Sequence, residues 1–260
     1  MFGDDWTVGY VSCVGTDAIS DRMVGAMQDA GIDISAVRRI PDRTVGLYLI
    51  QLDNGERSFS YWRGQSAARM LADDPDQLSA VLGRADVVFY SGIALAILSD
   101  TAREAFCAAL ARARAQGVTT VFDTNMRARL WSGTEAMRAG MMQGAAQADI
   151  VLPSFDEEEA VFGGSSSEEV AVRYHAAGAK PVAVKNGPGD MLVSHEDGET
   201  FAHMPPALPN VVDTTAAGDS FDAAFLAAYL QGQGLHEAVR KGAALAARVV
   251  QAPGALVEPG

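Results

Sequence analysis

Cysteine is nearly missing from this chain: Cys13 and Cys107 are the two among 260 residues. Two thiols without ligand-like spacing exclude a disulfide scaffold and a thiolate zinc site. Aromatic residues reach only 7%. No apolar run has the ~20 residues that a membrane-spanning helix needs, and the start lacks a basic-then-apolar leader pattern. Cations are short as well, with 20 Lys and Arg against 33 Asp and Glu and a net charge of −13. That balance excludes a nucleic-acid surface, which needs clustered Lys and Arg. His175, His195, His203 and His236 are scattered, with no pair at metal-ligand spacing. The phosphate loop G-x-x-x-x-G-K-[ST], the dinucleotide loop G-x-G-x-x-G and the nucleophile elbow G-x-S-x-G are all absent. What remains is an acidic protein of ordinary apolar content, 48% hydrophobic and 20% charged, long enough to bury a sizeable core. A cytoplasmic enzyme is expected, and any anionic substrate has to find its cations locally.

The chain alternates strand-like and helix-like stretches. Residues 7–14 read as a buried strand, with a helix centred on 22–27 that closes at Gly31. From residue 86 the rhythm is regular. Strands are expected over 86–90, 118–122, 150–152 and 181–185, and helices over 101–116, 135–148, 155–162 and 168–177. A hairpin over 191–194 and 200–203 and two final helices, 220–230 and 235–250, complete the chain. Strands alternating with helices predict an α/β fold with a mostly parallel central sheet. Ligands then sit at the C-terminal ends of strands, here near Gly92, Asp123, Ser154, Gly187 and Gly218. Two further strand-like runs, 44–52 and 57–63, flank Asp53-Asn54-Gly55-Glu56 and read as an isolated β-hairpin. Alternation puts Ser58, Ser60 and Trp62 on one face and Arg57, Phe59, Tyr61 and Arg63 on the other. Such a hairpin has to pack on something, as a lid or across a dimer interface.

One stretch is suited to hold an anion. Asp213-Thr214-Thr215-Ala216-Ala217-Gly218-Asp219-Ser220-Phe221 is a turn of small residues that feeds a helix, where unpaired N–H groups and the positive end of the helix dipole meet. A carboxylate repels a bound phosphate, so Asp219 is better placed to take a proton from an attacking hydroxyl. The same residues also suit a plain helix N-cap. Asp123-Thr124-Asn125-Met126-Arg127 carries an amide and an arginine past a strand, able to reach an acidic group or simply to lie on the surface. Asp156 to Glu159 offer carboxylates for a cation that bridges phosphates, or an ordinary acidic first turn.

The nine residues from Asp213 to Phe221 resemble the C-terminal signature of the ribokinase-like (PfkB) carbohydrate kinases. Three stretches resemble one branch, the 2-keto-3-deoxygluconate kinases. These are Glu56-Arg57-Ser58-Phe59-Ser60-Tyr61-Trp62-Arg63, the run Ser91-Gly92-Ile93-Ala94-Leu95 continuing to Ser99, and the run from Asp123 to Trp131. The resemblance implies a three-layer α/β sandwich with a kinase core over 1–37 and 65–260 and a small β lid over 38–64. It implies an ATP- and Mg2+-dependent kinase that phosphorylates a sugar acid, 2-keto-3-deoxygluconate, at its 6-hydroxyl. The alternatives are another sugar or nucleoside kinase, or a non-catalytic sugar- or nucleotide-binding homologue. Asp219 would be the base, with Ala216, Ala217 and Gly218 supplying the anion hole, where Ala at 216 in place of the family's usual Gly costs little. Tyr48, Tyr61, Arg63 and Arg127 would hold the acid. Lys185, Gly187, Gly218, Ala243 and Ala247 would lie on the nucleotide side. Glu157 would act on Mg2+ through water, although the asparagine that usually accompanies it is Ser154 here. A homodimer through the lid hairpin is the expected assembly, with no nucleic-acid or membrane partner.

One departure stands beside these matches. Members of this family begin with a strand, a Gly-Gly-Asp-type substrate loop and a helix carrying asparagine, whereas this chain starts at what resembles the second core strand. The resemblance therefore implies an absent central strand, an extra sheet edge and weak or no activity for the chain as it stands.

Overall fold

The computed structural model describes residues 6–53, 56–164 and 166–257. In chain order the elements are β1 (Ser12–Val14), α1 (Ala18–Asp29), β2 (Val37–Arg39), β3 (Leu47–Asp53), β4 (Glu56–Trp62), α2 (Pro75–Leu82), β5 (Val87–Ser91), α3 (Gly92–Ile97) and α4 (Asp100–Ala115). Then come β6 (Thr119–Asp123), α5 (Thr134–Ala145), β7 (Ile150–Leu152), α6 (Phe155–Phe162), α7 (Ser167–Ala176), β8 (Pro181–Val184), β9 (Met191–His195), β10 (Thr200–His203), α8 (Ala217–Leu230) and α9 (Gly234–Val249). They form two compact units, one of residues 87–93 and 119–257, the other of 6–86 and 94–118.

The first unit is built on a six-stranded sheet in the order β10-β9-β8-β7-β6-β5. Strands β5 to β8 run parallel, and β9 and β10 add an antiparallel edge. Alternation sorts the strand residues by face. Val121, Ile150, Leu152, Ala183 and Val193 pack with Phe221 and Phe225 of α8 and with Leu235, Ala238, Val239 and Ala243 of α9. Opposite, Tyr90 and Phe122 stack with ring centroids 5.1 Å apart, and the Tyr90 hydroxyl donates to the Gly144 carbonyl of α5 at 2.8 Å. Helices therefore lie on both faces of the parallel strands, whose residues are mostly apolar. Burying Phe221 and Phe225 contributes about 1.5–3 kcal/mol each by transfer free energy. β5 closes the sheet order, and its Phe89 is 46% exposed.

In the second unit β1 and β2 pair in parallel, and Val14, Val24 and Val45 form a small core with Met27, Ile34 and Val37. Asp17 caps α1 by accepting from the Ile19 and Ser20 N–H groups at 3.0 and 3.1 Å. Those bonds, chiefly the one from Ser20, hold the Asp17 carboxyl down at about 2. α2 starts with Pro75 directly after its Asp74 cap, and the Arg112 side chain of α4 donates to Ser79 on α2. β3 and β4 form a separate two-stranded sheet with Tyr48 opposite Tyr61 and Leu47 opposite Trp62. The expected Asn54-Gly55 turn lies outside the described residues.

Most expected elements fall within a residue or two of their observed bounds. The strand expected over 7–14 is shorter, because only Ser12–Val14 pairs with β2, while Gly9 bridges Asp33 alone and Val8 and Tyr10 are exposed. β2, α2 and α3 were not anticipated.

α6 is anchored from beneath by Glu158, which is fully buried and accepts hydrogen bonds from Arg173 and from the Tyr174 hydroxyl of α7. Burial outweighs both donors and raises the Glu158 pKa from its ordinary 4.5 to about 7. The folded protein then keeps a proton that the unfolded chain has already released, so stability falls as pH rises between 4.5 and 7. Thermal melts from pH 4.5 to 8 are expected to show this decline, worth about 3 kcal/mol at most, and Glu158→Gln is expected to flatten it. An equal slope in the variant would refute the assignment.

Candidate active site

The C-terminal ends of β6, β7 and β8 meet the start of α8 around one ammonium. Asp123 ends β6 on the face of Val121, and Lys185 follows β8 on the face of Ala183, so both point toward α8. Lys185 Nζ donates to Asp123 Oδ1 at 3.0 Å and to Asp222 Oδ1 and Oδ2 at 3.0 and 3.2 Å. All three side chains are buried. Burial alone would lower the Lys185 pKa, but the Asp222 and Asp123 carboxylates overcome it and hold it above its ordinary value. Burial likewise pushes the Asp222 carboxyl up, against the pull of Lys185. The Lys185 backbone is engaged too: its N–H bonds the Pro153 carbonyl at 2.8 Å, and its carbonyl accepts the first N–H of α6, from Phe155, at 2.7 Å.

Above this cluster lies the turn into α8. Asp213 is its lock, accepting from the Thr215 N–H and hydroxyl at 3.0 and 2.7 Å through Oδ1 and from the Gly254 N–H at 3.0 Å through Oδ2. Ala216 sits in the left-handed region at φ 61° and ψ 14° and makes no side-chain cap. For a residue with a Cβ that conformation costs about 1–2 kcal/mol, so alanine at this position is more expensive than its small size suggests. The Ala217 N–H turns back to the Thr214 carbonyl at 3.2 Å, and the Ser220 N–H begins the helix ladder on Ala216. Gly218 and Asp219 lie in the first turn, where N–H groups have no intrahelical acceptor. Asp219 is exposed. A Cβ added to Gly218 would lie 3.7 Å from Lys185 Nζ, so the ammonium sits directly beneath the turn.

On the other side of Asp123 the chain passes through Asn125, also at positive φ, 29°. Thr124 Oγ1 and Asn125 Oδ1 are buried with no hydrogen-bond partner among the described residues, as polar atoms awaiting a ligand or a water would be. Gly92 makes room here: a Cβ on it would fall 1.9 Å from the Thr124 carbonyl. Glu157, in the first turn of α6, does not close a capping box with Ser154, which caps nothing. It accepts instead from the Met126 N–H at 2.8 Å and from Arg127 Nη1 at 2.6 Å.

Asp219, Gly218, Lys185 and Asp222 thus gather at one end of the first unit, as do Arg127 and Glu157. Two expected nucleotide residues stand differently from their sequence-based roles. Lys185 has its ammonium committed to two carboxylates. Ala243 is 1% exposed inside the α8–α9 core, because the spacing of Leu235, Ala238, Val239, Gly242 and Ala243 places it on the buried stripe of α9. Ala247 is half-buried, and Gly187 takes φ 52° in the turn that the Gly189 N–H closes on the Asn186 carbonyl. Tyr48, Tyr61 and Arg63 belong to the second unit, where the Arg63 guanidinium lies 4.5 Å over the Tyr61 ring. Sequence reasoning missed Asp222 and the locking role of Asp213; a lone carboxylate in the otherwise apolar run of α8 was the available signal for the first.

A turn of small residues followed by an exposed carboxylate in the first turn of a helix, beside the ends of parallel strands, is the kind of arrangement that a phosphotransferase uses. Residues 6–258 match the pfkB family carbohydrate kinase model, and the chain belongs to that family. The 2-dehydro-3-deoxygluconokinase of Escherichia coli K12 is 40% identical over 258 residues, covering 96% of this chain and 83% of that protein. The crystal structure of a PfkB protein from Polaromonas sp. JS666 superposes with a TM-score of 0.84 at 32% identity, covering 95% of this chain and 81% of the other. Aminoimidazole riboside kinase from Salmonella enterica, in complex with aminoimidazole riboside and an ATP analog, gives 0.79 at 26% identity over 96% of this chain and 81% of its own. These neighbours bear out the ribokinase-like fold with its mostly parallel sheet.

Ala216→Gly is expected to relieve the left-handed strain and raise stability by up to about 1 kcal/mol. Denaturant melts will register this as a higher midpoint at unchanged m-value. A lower midpoint would show that the alanine methyl contributes packing greater than its strain.

Proposed function

We propose that this protein phosphorylates 2-keto-3-deoxygluconate from ATP, transferring the γ-phosphoryl to the 6-hydroxyl. The observation that carries the reading is the exposed Asp219 in the first turn of α8, directly after the Ala216–Gly218 turn. The 40% identity to a 2-dehydro-3-deoxygluconokinase supports the choice of acid. Asp219 Oδ accepts the proton of the 6-hydroxyl as its oxygen bonds phosphorus, the bond from phosphorus to the bridging oxygen breaks, and ADP leaves. The Gly218 and Asp219 N–H groups stabilise the charge on the phosphoryl oxygens, with Ala216 and Ala217 shaping the turn around them. Arg127 pairs with the substrate carboxylate; Tyr48, Tyr61 and Arg63 remain the acceptor contacts that the family resemblance implies for the hairpin.

Gly187 and Ala247 line the nucleotide side in this reading. Both Glu157 oxygens already accept hydrogen bonds, and the described residues hold no group of three or more His, Cys, Asp or Glu able to cage an ion. That donor set fits a Mg2+ held mainly by nucleotide phosphates and its own waters, with Glu157 reaching it through water. When bound, the ion neutralises charge on the transferring phosphoryl group. An ATP-dependent sugar-acid kinase belongs in the cytoplasm; among the described residues no helix is long and apolar enough to cross a membrane. Leu47, Leu49 and Trp62 share the hairpin face opposite Tyr48 and Tyr61 and are exposed. They supply the surface for a homodimer, for which light scattering on the purified protein should give twice the monomer mass.

A coupled assay of ADP release should show turnover with 2-keto-3-deoxygluconate, against the weak or absent activity that the departure from the family pattern implies. Asp219→Asn is expected to lower kcat by about 10²–10⁴ while ATP affinity by calorimetry stays constant. Arg127→Ala is expected to raise KM for the acid and leave neutral sugars unaffected. Folded wild-type protein with no turnover on this acid would sink the proposal.

A further inference from the structure

Lys185 lies beneath the Gly218 turn with its ammonium committed to two carboxylates. Its three short contacts all go to Asp123 and Asp222, and its side chain is only 10% exposed. Asp222 lies one helical turn past Asp219 on α8, and Asp123 directly precedes the Thr124–Asn125 segment with its two unpartnered polar atoms. The backbone of the same lysine holds Pro153 and the first N–H of α6, the helix that carries Glu157.

We propose that Lys185 is a positioning residue: its buried ammonium, clamped between Asp123 and Asp222, sets where Asp219 and the Gly218 turn stand relative to the Asn125–Arg127 segment. The inference rests on the kinase reading of the site and deepens it. A buried ammonium is suited to the task because its charge forbids any arrangement in which the two carboxylates drift apart from it. The two loops it ties are the ones that must present the base and the acid-binding arginine in a single geometry. A displacement of about 1 Å between them costs on the order of 10²-fold in rate while leaving each loop able to bind its own ligand.

The test separates positioning from nucleotide contact and from simple stability. Lys185→Met and Asp222→Asn are prepared in the full chain, their folding is checked by near-UV circular dichroism, and kcat, KM for ATP and the calorimetric Kd for MgATP are measured with 2-keto-3-deoxygluconate as acceptor. Positioning predicts that kcat falls about 100-fold in Lys185→Met and about 10-fold in Asp222→Asn, with KM and Kd for ATP within about 3-fold of wild type. A 10-fold or greater loss of ATP affinity at retained kcat would make Lys185 a nucleotide ligand and overturn the inference. Wild-type kcat in both folded variants would overturn it as well, leaving the cluster a matter of stability alone. If Lys185→Met does not fold, Asp222→Asn, whose amide oxygen can still accept from the ammonium, carries the same comparison. If the wild type folds but does not turn over this acid, the kinase reading fails by itself. The MgATP Kd of the variants then decides Lys185: unchanged affinity excludes it as a ligand and upholds a role beneath the turn, and a 10-fold loss overturns that role.

Discussion

A buried cation shared by two buried carboxylates is the constraint around which this protein is arranged. Removing the Lys185 ammonium from water is expensive, and hydrophobic replacements of comparable volume are often as stable. The arrangement is therefore better understood as specifying geometry than as adding stability. Through Lys185, the ends of β6, β7 and β8 and the second turn of α8 share one point. An apolar cluster there would tolerate sliding; the charged one tolerates little, because each carboxylate loses its counter-charge if it moves.

The turn into α8 is held by a second device. Asp213 converts the segment before the helix into a closed loop and ties it to the Gly254 N–H of the C-terminal tail. With the loop fixed at Asp213 and the helix fixed at Asp222, the residues between have little freedom, and the backbone passes through a left-handed alanine at 216. Strain of this kind persists only where the surroundings over-determine the conformation. Asn125, at positive φ between the anchored Asp123 and the Met126 N–H held by Glu157, repeats the pattern on the facing loop. Both conformational exceptions among the site loops thus lie between anchored carboxylate contacts.

Much of this was legible in the sequence. Apolar runs of four or five residues bounded by glycines and alternating with Ala-rich helices fixed the order of elements after residue 86, because a strand buried on both faces has no polar alternation to blur it. The helix over 75–82 escaped notice although Asp74-Pro75 is a cap followed by a proline at the first helical position, a signal as strong as any used elsewhere. Asp219 stands out in the sequence as a carboxylate beside a turn of small residues, and the structure leaves it exposed in the first turn of α8; its role as base is a proposal. Asp222 was not legible, because an aspartate in the second turn of a helix reads as a solvated face until the packing of the neighbouring alanines and phenylalanines shows that side to be interior. Lys185 was noticed for its place at a strand end but assigned to a ligand, since sequence cannot reveal that two carboxylates, 62 and 37 residues away, already claim it.

The same cluster bears on how so acidic a chain could hold an anion at the turn proposed for it. With a net charge of −13 the field at the surface is unfavourable to phosphates. Lys185 cannot correct this from the surface, since its charge is absorbed by Asp123 and Asp222, and Arg127 is partly neutralised by Glu157 at 2.6 Å. What remains at the turn is the partial positive charge of first-turn N–H groups, backed at short range by a helix dipole. Backbone donors are fixed in direction and have no counter-ion to shed, so they act on charge as it develops rather than on any anion that diffuses by. A site built this way would depend closely on the position of α8, and the role proposed for the buried ammonium beneath Gly218 is to supply that precision.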